Sequence, residues 1–140
     1  MTFRFTRLTL LALLALAMLV TATSAQKKPA DSDKEPVVKD IMLATHTKTG
    51  PLNRIGQAVR GMRWDEAGPL AKELVKAGED LGKAKPPAKG SPASWTKLVK
   101  AYQADTKAAA EAVAKKNIGD FRDAMDSLNA SCRTCHSAHK

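Results

Sequence analysis

The sequence predicts an all-α protein, an antiparallel up-and-down bundle of four helices, from three observations. Four segments carry apolar residues at the helical spacings of three and four, and no segment alternates like a convincing strand. Gly82 ends the second of these segments, and the longest link, over 83–90, contains Pro86 and Pro87. The links are short, which favours antiparallel neighbours. Without its first 25 residues the chain keeps 115, enough for one domain with one core.

The N-terminal segment 1–25 has the pattern of a secretory signal peptide. Arg4 and Arg7 precede an apolar run over 8–20, and small residues follow at the expected cleavage point. The run has 13 residues, fewer than the roughly 20 that span a bilayer as a helix, so cleavage is favoured over an uncut anchor. We therefore expect export to the periplasm, with no stable membrane insertion after cleavage.

Residues 26–36 are rich in Lys, Asp and Pro and carry almost no apolar side chain, so we expect a flexible tether there. The folded domain is expected over 37–140. Pro51 interrupts its first helix, because a proline inside a helix removes a hydrogen bond and clashes with the preceding turn. The sequence therefore predicts either a kink or two short helices, over about 37–48 and 51–61.

A second helix is predicted over about 65–81. Asp65 is its expected N-cap, Pro69 falls in its first turn and Gly82 ends it. Three small residues on this helix would allow a second copy of the chain to approach closely. They are Ala67, Ala71 and Gly78. A monomer and a homodimer therefore both stay open.

The third and fourth helices have recognisable starts. Ser91 followed by Pro92 predicts an N-cap and first helical position, and this helix is expected to end near 115–116. Asn117 is the expected N-cap of the fourth helix. Apolar residues then recur at spacings of 3, 4, 3, 4 and 3. They are Ile118, Phe121, Met125, Leu128, Cys132 and Cys135. This stripe predicts that both cysteines of the chain lie on the buried face.

The C-terminal segment contains the pattern Cys-x-x-Cys-His, formed by Cys132, Cys135 and His136. This spacing is typical of a c-type haem attachment site, in which two thiols add to the haem vinyl groups and the histidine ligates the iron. Positions i, i+3 and i+4 share a helix face, so all three side chains can reach one flat macrocycle. The sequence therefore predicts one covalent haem c on the C-terminal helix.

A zinc site, a redox-active thiol pair and a structural disulfide account less well for the motif. A structural zinc site needs four ligands, and only three or four candidates cluster here. A redox-active Cys-x-x-Cys pair is expected after a strand in a βαβ context, which the pattern of this chain lacks. A disulfide within the motif would close a very small loop and add little stability.

The chain is basic, with a formal net charge of +9 that becomes +7 without Arg4 and Arg7. Such a surface is either simply solvated or suited to an acidic redox partner or an anionic membrane surface. Nucleic acid is not expected, because the chain has only six aromatic residues and no recognisable nucleic-acid motif. An enzyme is not expected either, since the sequence offers no nucleophile–base pair, phosphate-binding loop or second metal cluster. No catalytic residue is assigned.

Together these features resemble the class II cytochromes c, the family of cytochrome c′ and cytochrome c556. The similarity covers about residues 36–140. It rests on an exported precursor, four helical stretches and the haem motif within a few residues of the C-terminus, with Lys140 four positions after His136. Ordinary small cytochromes c carry this motif near the N-terminus, so its position discriminates between the families. Pro51 inside the first helix departs from the family pattern.

The resemblance implies that the haem lies between the C-terminal helix and the N-terminal part of the first helix. It makes the second axial ligand the main functional question. In members of the c556 type a methionine from the first helix closes the site, and the protein transfers electrons. In cytochromes c′ the iron is usually five-coordinate, and the protein binds small gases such as NO and CO.

Met42 lies in the corresponding part of the first helix and is the expected sixth ligand of the iron. His46, one turn later, is the alternative, whereas Met62 and Met125 are weaker candidates. His139 is expected at the rim of the site. We therefore expect a single-electron carrier with a redox partner protein, and the basic charge of the chain would suit an acidic partner. A five-coordinate protein that binds NO or CO is the alternative.

Overall fold

The computed structural model of the protein describes residues 36–140. The expected signal peptide and all but the last residue of the expected tether lie outside the described residues. Within them the chain is all-helical, as predicted. The helices are α1 Val38–His46, α2 Pro51–Arg60, α3 Trp64–Lys83, α4 Pro92–Ala114 and α5 Ile118–His139. None of these described helices is long and apolar enough to cross a membrane.

The predicted break in the first helix takes the form of two short helices. Pro51 occupies the first position of α2, and Gly50 precedes it as the N-cap residue. A Cβ at Gly50 would lie 2.5 Å from the carbonyl oxygen of Thr45, so the close return of the chain requires a glycine. The side-chain amide of Asn53 donates to the carbonyl oxygen of Thr47 at 2.9 Å and fixes the connection.

α3 begins one residue earlier than predicted, and Asp65 is not its N-cap. The helix starts at Trp64, Arg63 occupies the N-cap position, and no side chain caps the backbone. Trp64 packs against the core, which anchors this early start. Asp65 and Glu66 lie in the first turn, where carboxylates interact favourably with the helix dipole. Pro69 consequently lies inside the helix rather than in its first turn.

Gly82 does not end α3, because the helix continues through it. A Cβ there would collide with the side-chain amide of Gln103 in α4, so the glycine serves close helix packing. Gly78 has the same role, since a Cβ there would lie 3.0 Å from the hydroxyl oxygen of Thr106. The small residues expected to admit a second copy are all buried within one chain. They are Ala67, Ala71 and Gly78.

α4 and α5 begin where the sequence predicts. The hydroxyl of Ser91 accepts a hydrogen bond from the backbone N–H of Ser94 at 3.1 Å. The side-chain oxygen of Asn117 accepts two hydrogen bonds from first-turn N–H groups, at 2.9 and 3.2 Å. The apolar stripe of α5 is buried at Leu128, but Ile118 at its start is 38% exposed, so the prediction is wrong there. The helix begins beyond the end of the core.

Two clusters of buried side chains fill the core, and both draw on α3, α4 and α5. The first cluster unites the beginning of α3 with the end of α4, around Leu70 and Val113. The second unites the end of α3 with the beginning of α4 and the second half of α5, around Leu81, Trp95 and Leu128. α3 and α4 are therefore antiparallel, and so are α4 and α5. α2 packs on the first cluster and α1 on the second, an arrangement consistent with the predicted four-helix bundle.

Candidate functional site

A cavity lies where α1, the end of α3, the start of α4 and the second half of α5 meet. Its inner part measures about 120 Å³ and its outer part, which opens to the surface, about 500 Å³. The outer volume falls within the roughly 300–1,000 Å³ of small-molecule and cofactor sites. Five residues line both parts. They are Met42, His46, Leu81, Cys135 and His136.

One wall of the cavity belongs to α5 and carries the Cys-x-x-Cys-His motif. Cys132 lines the inner part, and Cys135 and His136 line both parts. The two cysteines are half-buried free thiols. The structure therefore brings the three predicted motif residues to one helical wall, as their spacing requires.

The electrostatic surroundings of the thiols differ from those of a reactive dithiol. Burial raises the pKa of Cys132, and the nearby charges of Cys135 and Asp105 raise it further. Burial also raises the pKa of the Cys135 thiol. Reactive cysteines need a lowered pKa, so this pair lacks the feature that a redox-active Cys-x-x-Cys motif requires.

A bare metal site gains no support from the geometry either. Within residues 36–140, no group of three or more His, Cys, Asp and Glu side chains is arranged to hold a metal ion. A structural zinc site would need four such ligands around one point.

A second wall of the cavity belongs to α1 and carries both candidates for the sixth ligand. Met42 is half-buried and packs against the second core cluster. His46, one turn later, has its Nε2 atom 3.3 Å from the hydroxyl oxygen of Tyr102. Burial lowers the pKa of His46, and the nearby His136 lowers it further, so the imidazole is neutral at pH 7. His46 thus has a polar partner, whereas Met42 packs among apolar side chains.

Tyr102 is a site residue that the sequence analysis did not identify. Its ring is buried, but its hydroxyl reaches His46 across the inner cavity. Burial raises the pKa of the phenol, and Cys132 adds to this. The available signal was chemical: this is the chain's single tyrosine, and it lies within the apolar pattern of α4. A buried tyrosine needs a partner for its hydroxyl, and such a partner is polar.

His139 lines the outer cavity but is only 8% exposed. Its Nδ1 atom lies 2.8 Å from the carbonyl oxygen of Lys89, and its Nε2 atom lies 3.2 Å from the hydroxyl oxygen of Ser94. Its ring meets Trp95 edge-on, with centroids 5.5 Å apart. Both ring nitrogens are therefore engaged. His139 is better described as an anchor of α5 than as a rim residue.

His136 differs from His139 in this respect. Its imidazole lines both parts of the cavity and makes no hydrogen bond to any residue between 36 and 140. The weaker methionine candidates lie elsewhere: Met62 is largely exposed, and Met125 packs between the two core clusters. Neither lines the cavity.

The donor set of the cavity suits a c-type haem. Two thiols and a free imidazole share the α5 wall, and a thioether and a second imidazole lie on the α1 wall. Apolar side chains from α3 and α4 complete the lining. Cys132, Cys135 and His136 could hold the macrocycle and its iron from one side, and Met42 or His46 from the other.

In comparisons with known proteins, no family model, no curated protein and no solved structure matches the chain.

Proposed function

We propose that this protein is an exported, periplasmic c-type cytochrome that carries single electrons. One haem c is attached through Cys132 and Cys135, with His136 and Met42 as the axial ligands of its iron. The observation that carries the proposal is the meeting of the motif residues with Met42 in one cavity. When bound, the haem supplies an iron that takes up and releases one electron.

The two cysteines act through thioether formation. Each S–H bond would add across one haem vinyl group, with a C–S bond formed and the hydrogen passed to the neighbouring carbon, so that no atom would be lost. Their half-buried positions on one face of α5 keep the attachment points on the cavity wall. Their raised pKa values favour the thiol form over the thiolate that disulfide exchange requires.

His136 serves as the proximal ligand because its imidazole is the free one on the α5 wall. His139 is already committed to Lys89 and Ser94. Anchoring of His139 also holds the last turn of α5, and with it His136, against the start of α4. Axial ligand identity and the burial around it are the main means by which a protein sets a haem potential.

Met42 is preferred over His46 as the sixth ligand because the Tyr102 hydroxyl already engages the Nε2 atom of His46. The Met42 thioether has no comparable partner and packs against the second core cluster. Methionine ligation favours ferrous iron and raises the potential. His136 and Met42 would hold the iron from the α5 and α1 walls of the cavity.

A five-coordinate, gas-binding protein is the second candidate, and one observation favours it. The hydroxyl of Tyr102 and the neutral imidazole of His46 form a polar pair in an otherwise apolar cavity. Such a pair could donate a hydrogen bond to a small ligand such as NO or CO. This function requires that Met42 stay in the apolar cluster and leave the iron open.

The visible spectrum of the reduced protein separates the two functions. We expect sharp low-spin α and β bands and little binding of CO. In Met42→Ala the bands should become broad and high-spin, and CO should bind readily. A broad high-spin spectrum with rapid CO uptake in the unmodified protein would instead support the gas-binding function.

His46→Ala is the matched control, because His46 lies one turn from Met42 on the same wall. It should keep the low-spin spectrum, since it removes the partner of Tyr102 but not the thioether. Loss of the low-spin bands in His46→Ala alone would identify His46 as the ligand and contradict the assignment to Met42.

A further inference from the structure

Lysines surround the mouth of the cavity. Lys39 of α1 and Lys140 after α5 line its outer part. Lys85 lies on an adjoining groove that shares Val38 with the cavity. Lys89 donates a hydrogen bond to the main-chain oxygen of Lys140, which brings it to the same edge. Four exposed lysines from three parts of the chain therefore converge at the opening of the cavity.

Acidic side chains do not neutralise these four lysines. Ion pairs between side chains within residues 36–140 include none of Lys39, Lys85 and Lys140, whereas the Lys89 ammonium is engaged by the main-chain oxygen of Lys140, the last residue. The stretches 81–104 and 127–140, which form most of this end of the molecule, contain no Asp or Glu. Asp40, next to Lys39, is the acidic residue of α1. The mouth of the cavity therefore carries a net positive side-chain charge.

Apolar side chains lie among these four lysines. Leu43 on the cavity rim is 54% exposed, and Val37 on the adjoining groove is 50% exposed. Val38 and Pro87 line both the outer cavity and the adjoining groove. An apolar centre with a charged rim is the usual anatomy of a protein–protein interface.

The charge of the molecule is strongly uneven. Between α4 and α5, away from the cavity mouth, a groove is lined by four acidic residues. They are Asp105, Glu111, Asp120 and Asp123. Lys115 is the one basic residue on that groove. The positive charge at the cavity mouth is therefore a local property and not only the consequence of a basic composition.

We propose that the lysine face, formed by Lys39, Lys85, Lys89 and Lys140 around Val37 and Leu43, docks an acidic protein. The partner would carry carboxylates around a small apolar patch and exchange one electron with this protein. The inference rests on the proposed function and adds to it the surface and the chemistry of the partner. Complementary charge would steer the encounter and raise the association rate.

A protein suits this face better than a lipid surface. The four lysines cluster at the mouth of the proposed haem cavity, so a partner docked there would lie close to the haem. Membrane-binding basic segments place their cations together on one helix or one short stretch. Here the cations are distributed over α1, the α3–α4 connection and the end of α5.

Small charged oxidants measure the local charge without the natural partner. The ferrous protein gives one electron to the hexacyanoferrate(III) anion, which becomes hexacyanoferrate(II), or to the tris(phenanthroline)cobalt(III) cation, which becomes cobalt(II). At about 10 mM ionic strength, where the Debye length is roughly 30 Å, Lys39→Glu/Lys85→Glu should slow the anionic reaction about tenfold. The cationic reaction should become faster, and both effects should vanish near 1 M salt, where charges beyond roughly 3 Å are screened.

Lys72→Glu/Lys107→Glu is the matched control, because it makes the same change in net charge as the double variant. Lys72 of α3 and Lys107 of α4 are exposed and line neither the outer cavity nor the adjoining groove. It should change either rate less than twofold. Equal effects of the control and the double variant would show that only the total charge matters. That result would overturn the docking face while leaving the electron-carrier function intact.

A binding measurement that needs no haem keeps the two proposals separable. Titration calorimetry with poly-L-glutamate, a carboxylate-rich probe, should detect binding to the unmodified protein and at least tenfold weaker binding to the double variant. Equal affinities would overturn the docking face. Vesicles containing one third phosphatidylglycerol should leave most of the protein in solution at physiological salt. Binding of most of the protein to them, lost in the double variant, would assign the face to lipid instead.

Discussion

The contact between Gly90 and His139 is expected to hold the motif-bearing end of α5 in place, and two substitutions test it. Gly90 has φ +93°, in the region that side chains avoid, and a Cβ there would collide with the His139 imidazole. His139→Ala removes that ring together with its bonds to Lys89 and Ser94. The two changes therefore act on one another through the contact with the imidazole, which is distinct from the approach of the new Cβ to the Ala138 carbonyl oxygen at 2.9 Å.

The expected changes in the free energy of unfolding follow from these contacts. His139→Ala loses two hydrogen bonds of about 1 kcal/mol each. It also loses an aromatic edge contact with Trp95 of about 0.5–1.5 kcal/mol. The free energy of unfolding should therefore fall by about 3 kcal/mol. In the unmodified background, Gly90→Ala should cost about 1–2 kcal/mol for the backbone and a further 1–3 kcal/mol or so for the collision.

Urea unfolding followed by far-ultraviolet circular dichroism gives the four free energies of this cycle. In the His139→Ala background the collision with the imidazole is absent and the close approach to the Ala138 carbonyl oxygen at 2.9 Å remains, so Gly90→Ala should cost less than in the unmodified background. Ser137→Ala, at an exposed position of the same helical turn, is the control and should change stability by less than about 0.5 kcal/mol. If Gly90→Ala costs the same in both backgrounds within about 0.5 kcal/mol, the contact does not exist in solution.

Two further predictions concern the core and the pH dependence of stability. Leu128→Ala should lower the free energy of unfolding by about 2–5 kcal/mol in urea titrations, because Leu128 is fully buried in the second cluster; a loss below about 1 kcal/mol would contradict that burial. In the haem-free Cys132→Ser/Cys135→Ser chain, the lowered pKa of His46 means that the unfolded state binds the proton more readily, so stability should fall as the pH drops below 6.5. In the same chain with His46→Gln, the free energy of unfolding should fall less as the pH drops. A pH profile identical to that of the chain with His46 would show that His46 is not buried as described.

Helix positions follow closely from the sequence where backbone chemistry decides them. Ser91, Asn117 and Pro51 act locally on hydrogen bonds and backbone angles, and the helices begin at these positions as predicted. The start of α3 is different. There the packing of Trp64 against the core outweighs the capping preference of Asp65, and one-dimensional patterns contain no information about that contact.

The α5 half of the candidate site also follows from the sequence, because helix geometry fixes how Cys132, Cys135 and His136 lie relative to one another. The rest depends on how helices approach in three dimensions. The bond between His46 and Tyr102 joins residues 56 positions apart, and the anchoring of His139 by Lys89 spans 50. Such long-range pairs are specified by the packed bundle as a whole.

Covalent attachment of a haem to the motif is the central claim. It is tested most directly by the intact mass of the protein, purified under denaturing conditions from cells that assemble haem c. Because thiol addition to a vinyl group loses no atoms, the expected mass is that of the processed chain plus one complete haem. The Cys132→Ser/Cys135→Ser variant should lack that addition. The mass of the bare chain, from the same cells, would contradict the covalent attachment.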